Sequence, residues 1–530
     1  MKGTIFNKYS INPTKFAQIP FFILSDIKKL AGQTVWYGVP TIISRFLGYL
    51  MNMALPFLFI QPSKTADITQ VYAIIPFLNI LFTYGLETAY FRFSQEKEKH
   101  HLYNTLSVSL FLSTLVFTGL LFLSRHSIAE AASLAEHPEY LTWMCGIIFF
   151  DTLATLPFAR LRQENRPRRY AFVRMSGIVV NLTIVLLFLG FLPGYVHRNP
   201  DSPLKIITNL NIGIGYYLIG NLLGSISTFL LLFRELKDLK WEFDGTLWKE
   251  VMKYSYPLII VGLGGMINDM LSRLVYQHVV DLPPEQAKHE LGIFANVYRL
   301  AVMITIMIQA FRMAAEPFFF NQSKQDGAQK SYARVMKFFV IACCFMFLLI
   351  GLYLDVLKWV ITLKSKAWGE GMYIVPILAM GNIFLGIYYN LSIWYKLTGK
   401  NLYGAYITIG GAILTIVLNI LLIPKFHYLG AAIATFTCYL VMMVSSYLLG
   451  QRFYPIPYAR KKLLSYITLV ALIVMGHRLV TYLYSPLWFS VLTGTIFLLA
   501  FTAFVGRIEQ KDLVRIPYIG KWVTKLNGKS

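Results

Sequence analysis

"YGVPTIISRFLG" at residues 37–48 and "YSYPLIIVGLGG" at residues 254–265 both read Y-x-x-P-x-I-I. Both place a glycine eight residues after the proline, at Gly48 and Gly265. Each opens a long apolar run, and the number of runs between them sets the architecture. A bilayer core takes about 20 mostly apolar residues in helical form. Fourteen such runs are expected, over 35–60, 69–91, 104–124, 139–159, 171–193, 209–233, 254–275, 291–319, 335–357, 372–395, 402–423, 429–450, 463–484 and 487–506. The two quoted stretches open runs one and seven. A second pair keeps the same spacing. "RLRQENRPRRY" (160–170) and "KLTGKNLYGAY" (396–406) share a basic residue before leucine, asparagine five residues on and tyrosine five further. They lie between runs four and five and between runs ten and eleven.

Six runs is an even number, so the two copies share one orientation, as parallel repeats about an axis along the membrane normal. The expected fold is all-α and polytopic, with about fourteen transmembrane helices. Two pseudo-symmetric six-helix lobes cover 35–233 and 254–450, joined by a linker at 234–253, and two extra C-terminal helices lie in 451–506. Residues 1–34 read as an amphipathic segment on the cytoplasmic membrane surface, and 507–530 as a basic cytoplasmic tail.

Composition agrees with this outline. The 530 residues are 56% hydrophobic and 14% charged, with mean hydropathy +0.55, where a soluble domain carries about 25% charged residues. Breakers inside the runs (Pro40, Pro76, Gly264, Pro376, Gly410) are tolerated in spanning helices because neighbouring groups re-satisfy the backbone. The run lengths and the lack of strict alternation exclude a β-barrel. The net charge of +23 is spread between apolar runs and forms no basic domain. It therefore points to topology and anionic lipids rather than nucleic acid. The N-terminus, the even-to-odd loops and the C-terminal tail hold 35 of the 49 Lys and Arg, the other loops hold 10, and Arg45, Arg273, Arg299 and Arg312 fall within runs. The alternation places both termini in the cytoplasm.

A charge at mid-bilayer costs at least about 2.5–3.5 kcal/mol, so such residues pair or face a polar cavity. Arg45 lies inside run one. Glu87 and Arg92 close run two, and Asp151 lies in run four. Asp269 and Arg273 stand four residues apart in run seven. Arg299, Arg312 and Glu316 lie in run eight. Runs one, two, seven and eight are repeat mates and carry most of these charges. They outline a cavity between lobes in which Arg45, Arg273, Arg299 and Arg312 could bind an anion. Arginine suits that role because its planar fork holds phosphate bidentately and stays ionised. Glu87, Arg92, Asp151, Asp269 and Glu316 are candidates for ion coupling or for structural pairs such as Asp269–Arg273 and Arg312–Glu316. The four cysteines and nine histidines make no metal spacing, and no Walker motif is present. No metal, cofactor or self-powered ATP hydrolysis is expected. The outward loops are short and hold no paired catalytic groups, which weighs against an enzyme.

The pattern resembles the MOP exporter superfamily (multidrug, oligosaccharidyl-lipid and polysaccharide exporters), and within it the polysaccharide-biosynthesis and lipid II flippase branches. "SRFLG" (Ser44 to Gly48) is similar to the S-R-x-L-G-x-x-R signature of the lipid II flippases, with Arg45 matching. The second arginine of that signature would fall at Met51, where this chain departs. "YGLETAYFRF" (84–93), "PFARLRQENRPRRYA" (157–171), "YSYPLII" (254–260) and "AAEPFFF" (314–320) resemble segments of bacterial lipopolysaccharide or capsule exporters. The resemblance implies an inner-membrane flippase for an undecaprenyl-diphosphate-linked sugar or oligosaccharide. It also implies lobes that rock about a cationic cavity and a tail groove formed by the last two helices. Anionic lipids and proteins of polysaccharide synthesis or polymerisation are the implied partners. A cation-coupled multidrug antiporter is the alternative, and a membrane-bound glycan polymerase or ligase the third reading. "FARLRQENRPRRYAFVR" (158–174) holds six arginines, against Lys396 and Lys400 in its repeat mate. The excess reads as an orientation signal, or as Arg162, Arg166, Arg168 and Arg169 contacting lipid phosphates or the arriving diphosphate.

Overall fold

The structure is a computed structural model. It describes residues 46–513 except 49, 52, 60, 165, 200, 205–209, 324–326 and 485, and no side chain at 210, 211, 313, 314, 316, 317, 320, 321, 511 or 513. Most of run one, the 1–34 segment, Arg45, most of the tail and the Glu316 side chain lie outside the described residues.

The described residues form helices and no strands. The principal ones in chain order, with shorter helical segments between them, are α1 (Ala66–Thr83), α2 (Leu86–Phe93), α3 (Lys99–Leu123), α4 (Glu139–Gln163), α5 (Pro167–Val185), α6 (Tyr216–Leu231) and α7 (Gly245–Val279). Then follow α8 (Pro284–Gln322), α9 (Ala328–Leu352), α10 (Val375–Leu391), α11 (Asn401–Phe453), α12 (Arg460–Leu483) and α13 (Leu487–Ile508). Twelve helical stretches among the described residues are long and apolar enough to cross a membrane. One of them, α11, runs for 53 residues. At 1.5 Å per residue that is about 80 Å, more than twice the hydrocarbon core. It breaks at His427, whose φ of 53° and ψ of −136° are not helical, so runs eleven and twelve are two rods that fold back on each other. A Cβ on Gly430 would lie 2.3 Å from the Leu422 carbonyl oxygen, so only glycine permits that fold-back. A count of fourteen is not established by the described residues, because run one is mostly outside them.

Two helix bundles follow the repeat. In the first, α4 packs against α1, α3 and α6, and α5 lies along α6. In the second, α10 packs against α8, α9 and α11, and α7 lies along α11. The central helices, α4 and α10, occupy equivalent repeat positions. The glycines of "GYYLIGNLLGS" bring α5 and α6 together: a Cβ on Gly224 would sit 2.6 Å from the Gly177 carbonyl oxygen. Such close backbone approach replaces the hydrophobic effect, which cannot drive association inside lipid.

The appended helices α12 and α13 pack on α9 and are held at both ends. At one end the buried Glu509 accepts from Lys337, from Lys462 at 2.7 Å and from Tyr466 at 2.6 Å. Burial alone would raise this carboxyl, but the three donors hold it below its ordinary range. At the other end Asp355 accepts from Arg478 at 2.7 Å and Ser490 at 2.6 Å.

Candidate functional site

A cavity of about 480 Å³ lies where the bundles meet, lined from α1, α7, α8 and α10. Asp269, Arg273 and Arg299 all line it, with Tyr72 from α1 and Tyr298 and Tyr389 from the second bundle. Asp269 and Arg273 share a helix face, but no ion pair joins them among the described residues. Tyr298 stands between them. Its hydroxyl donates to Asp269 Oδ1 at 2.8 Å, and its ring carries the Arg273 guanidinium 4.1 Å above its centre. Arg312, expected in the same cavity, is not among its lining residues; it lies 3.9 Å over the ring of Tyr389, which does line it. A cation over an aromatic face gains about 0.5–2 kcal/mol and keeps its edge donors available. The site thus holds a planar cation, Arg273, on a tyrosine platform, a form suited to an oxyanion.

The bundles touch at both ends of this cavity. At the end that carries most of the basic loops, Lys97 pairs with Glu250 at 2.9 Å and Arg92 stacks 5.3 Å from the Tyr254 ring. The hydrogen bond to Glu250 raises the Lys97 ammonium. At the opposite end Lys288 of α8 reaches Glu136 at 3.2 Å and Asp67 at 3.7 Å in the first bundle. The same lysine holds Glu136 below its ordinary value. Trp368 donates to the Phe59 carbonyl at 2.8 Å. Closest of all, a Cβ on Gly292 would lie 2.1 Å from the Pro62 carbonyl oxygen. That clash is with backbone, so Gly292→Val is expected to part this end. A cysteine placed at Thr69 should then react about tenfold faster with a membrane-impermeant maleimide, the shift expected for a ~1.4 kcal/mol bias. The four native cysteines are buried and give a low background. Unchanged labelling would show that this contact does not hold the end closed.

The other expected residues lie elsewhere. Glu87 pairs with Arg162. Arg92 is 3.9 Å from Glu96 at the surface. Asp151 is exposed on α4 and does not line the cavity. In the arginine-rich joint, Arg166 and Arg169 reach Glu235 at 3.6 and 3.3 Å, and Arg168 is exposed. Glu235 itself is buried at the end of α6. Sequence reasoning missed Tyr298, Tyr389, Lys288 and Glu235. Only Tyr298 carried a signal, as the neighbour of Arg299; the others depend on which helices meet.

Comparison with known proteins agrees with this fold. The capsular polysaccharide biosynthesis protein CapF of Staphylococcus aureus is 22% identical over 320 residues, 58% of this chain and 73% of that protein. The lipid II flippase MurJ in an inward closed conformation superposes with TM-score 0.69 at 14% identity, over 91% of this chain and 100% of that one. An inward-facing multidrug resistance MATE transporter of the MOP superfamily gives TM-score 0.58 at 14% identity, over 76% and 93%. These structures share its fold, that of a multi-pass membrane protein. Residues 30–322 match the family described as polysaccharide biosynthesis protein, and the chain belongs to that family.

Proposed function

We propose that the protein flips an undecaprenyl-diphosphate-linked sugar or oligosaccharide from the cytoplasmic to the outer leaflet of the inner membrane by alternating access. The observation that carries this reading is Arg273 held on Tyr298 in a cavity between bundles, with Arg299 in the same lining. A diphosphate entering that space loses hydration, and fixed guanidinium donors offset the loss. The volume of about 480 Å³ suits a head group of one or a few sugars. The end contacts provide the moving parts: opening either end while the other stays shut is alternating access. The basic end faces the cytoplasm in this reading, with both termini on that side. Synthesis proteins that deliver the loaded lipid would dock there, among anionic lipids.

The alternative, a cation-coupled drug antiporter, draws support from Asp269 in the same cavity. Two arginines against one carboxylate leave the described lining net positive, which disfavours cationic cargo. Proteoliposomes separate the readings. A fluorescent undecaprenyl-diphosphate oligosaccharide should become protected from an impermeant quencher, while a cationic dye on an imposed ion gradient should not move. Dye movement without glycolipid protection would favour the antiporter.

A further inference from the structure

Three of the ten Lys and Arg expected on the outward loops, Lys358, Lys364 and Lys366, fall together between runs nine and ten. Basic residues orient a membrane chain by gathering on the cytoplasmic side, so topology gives no reason for this group. The structure folds the loop into a pocket of about 560 Å³, apart from the cavity between the bundles. Lys358 and Thr362 line it from the end of the helix Leu354–Ile361, and Lys366 and Glu370 from the loop. Tyr373 joins them from just before α10, and Tyr428 from just past the break in α11.

Two glycines keep the floor of this pocket open. A Cβ on Gly369 would lie 2.7 Å from Thr362 Cγ2 and 3.1 Å from Lys358 Cε, so the lysine side chain crosses the floor there. A Cβ on Gly371, whose φ is 71°, would lie 3.3 Å from the Tyr428 ring. Lys358 and Lys366 are exposed, and no ion pair engages either among the described residues. Glu370 lies 3.4 Å from His289 Nε2. The Tyr373 and Tyr428 rings stand 6.1 Å apart at 52° and form a corner, and Tyr373 is 59% exposed. Glu290, the other carboxylate near Tyr428, is engaged by Tyr276 at 2.6 Å and His427 at 3.0 Å.

The mixture of groups selects the ligand. An aromatic face is electron-rich and takes the C–H face of a sugar ring. Glu370 accepts from sugar hydroxyls, and the tyrosine hydroxyls can donate or accept. A bare phosphate would use the two ammoniums but not the aromatic corner, and Glu370 would repel it. Two lysines against one glutamate leave the lining net positive, and the volume falls in the range of ligand sites, about 300–1,000 Å³. We infer that this pocket binds an acidic saccharide, with a sugar ring on Tyr373 and its carboxylate at Lys358 and Lys366. The inference rests on the flippase reading and narrows its cargo to glycans that carry an acid group. The same loop holds Trp368, which donates to the Phe59 carbonyl of the first bundle. The pocket therefore stands beside the mouth by which cargo leaves in that reading.

The test uses the full-length protein in phosphatidylcholine nanodiscs and free oligosaccharides, which carry no lipid, so binding is read apart from transport. The acidic probe is a tetrasaccharide of alternating glucuronic acid and N-acetylglucosamine; the neutral probe is a tetrasaccharide of N-acetylglucosamine. Affinities come from saturation-transfer NMR titrations. The acidic probe should bind about tenfold more tightly, at about threefold for each exposed ammonium. Lys358→Gln with Lys366→Gln should remove that advantage, and Tyr373→Ala should weaken both probes. All three positions are exposed, where substitutions leave folding nearly unchanged. A carbodiimide, which joins a carboxylate to an amine in contact with it, should couple the acidic probe to Lys358 and Lys366. Equal affinity for the two probes, or coupling spread evenly over Lys364, Lys425 and the other outward lysines, would overturn the inference. So would displacement of the acidic probe by glycerol 1-phosphate at matching affinity, which would make this a site for phosphate or for a lipid head group. Glycolipid flipping without saccharide binding sinks the pocket alone; saccharide binding without flipping sinks the flippase reading.

Discussion

Arg273→Ala is expected to lower the initial rate of glycolipid protection in proteoliposomes about 30-fold at equal protein abundance. A hydrogen bond to a charged group contributes about 1.5–3 kcal/mol net, and each 1.4 kcal/mol is a factor of ten. Arg273 meets the conditions for the middle of that range. It lines the cavity, is partly buried, and no ion pair engages it among the described residues. Its plane is set by the Tyr298 ring 4.1 Å below. Arg273→Lys keeps the charge but loses the planar fork, and an intermediate rate is expected. Tyr298→Phe keeps the platform and removes the hydroxyl that bonds Asp269 and Tyr439, so its loss should be smaller than that of Tyr298→Leu. A wild-type rate in Arg273→Ala would remove the cationic cavity from the mechanism. A loss in Tyr298→Phe as deep as in Tyr298→Leu would move the weight onto Asp269 and onto ion coupling.

The second large effect is on stability. Glu235→Ala is expected to destabilise the first bundle by about 2 kcal/mol, the loss of a buried carboxylate acceptor for charged donors, part of which solvent offsets at the exposed Arg166 and the partly buried Arg169. Glu235 is 2% exposed. Arg169 and Arg166 converge on its Oε1 at 3.3 and 3.6 Å. Its backbone carbonyl accepts from Arg160 at 3.0 Å and from Tyr103 at 3.3 Å. The one residue thus ties the α4–α5 joint and α3 to the end of α6. Thermal unfolding in detergent should show a lowered midpoint, and a double-mutant cycle with Arg169→Ala should show strong coupling. Additive losses would mean that the arginines of this joint act independently of Glu235, on lipid or on cargo.

That joint shows where the sequence stops being informative. Six arginines in seventeen residues read as a loop between apolar runs, whereas α4 runs to Gln163 and α5 begins at Pro167, so that only Arg166 lies between the helices and the other five ride on their ends. Their partners could not be read. Glu87 and Glu235 lie far from the joint in the chain, and only the packing of neighbouring helices brings the first to Arg162 and the second to Arg166 and Arg169. The Asp269–Arg273 spacing was misleading for a related reason. Four residues along a helix put two side chains on one face, but a tyrosine from α8 inserts between them. A helical wheel contains no neighbouring helix.

The periodic features were legible, since each is a property of one segment against the bilayer. Run length against hydrocarbon thickness sets where the chain crosses. The alternating basic loops set the expected orientation. The Y-x-x-P-x-I-I repeat, six runs apart, implies two similarly oriented bundles, and it places Asp269 and Arg273 in the helix that faces the other half. What tertiary structure alone decided is which groups meet: Tyr298 beneath Arg273, and Lys288 across to Asp67 and Glu136. Lipid solvation acts on every helix alike and cannot choose among partners. Close packing at glycines and polar contacts between helices make that choice, and they exist only after the helices have assembled.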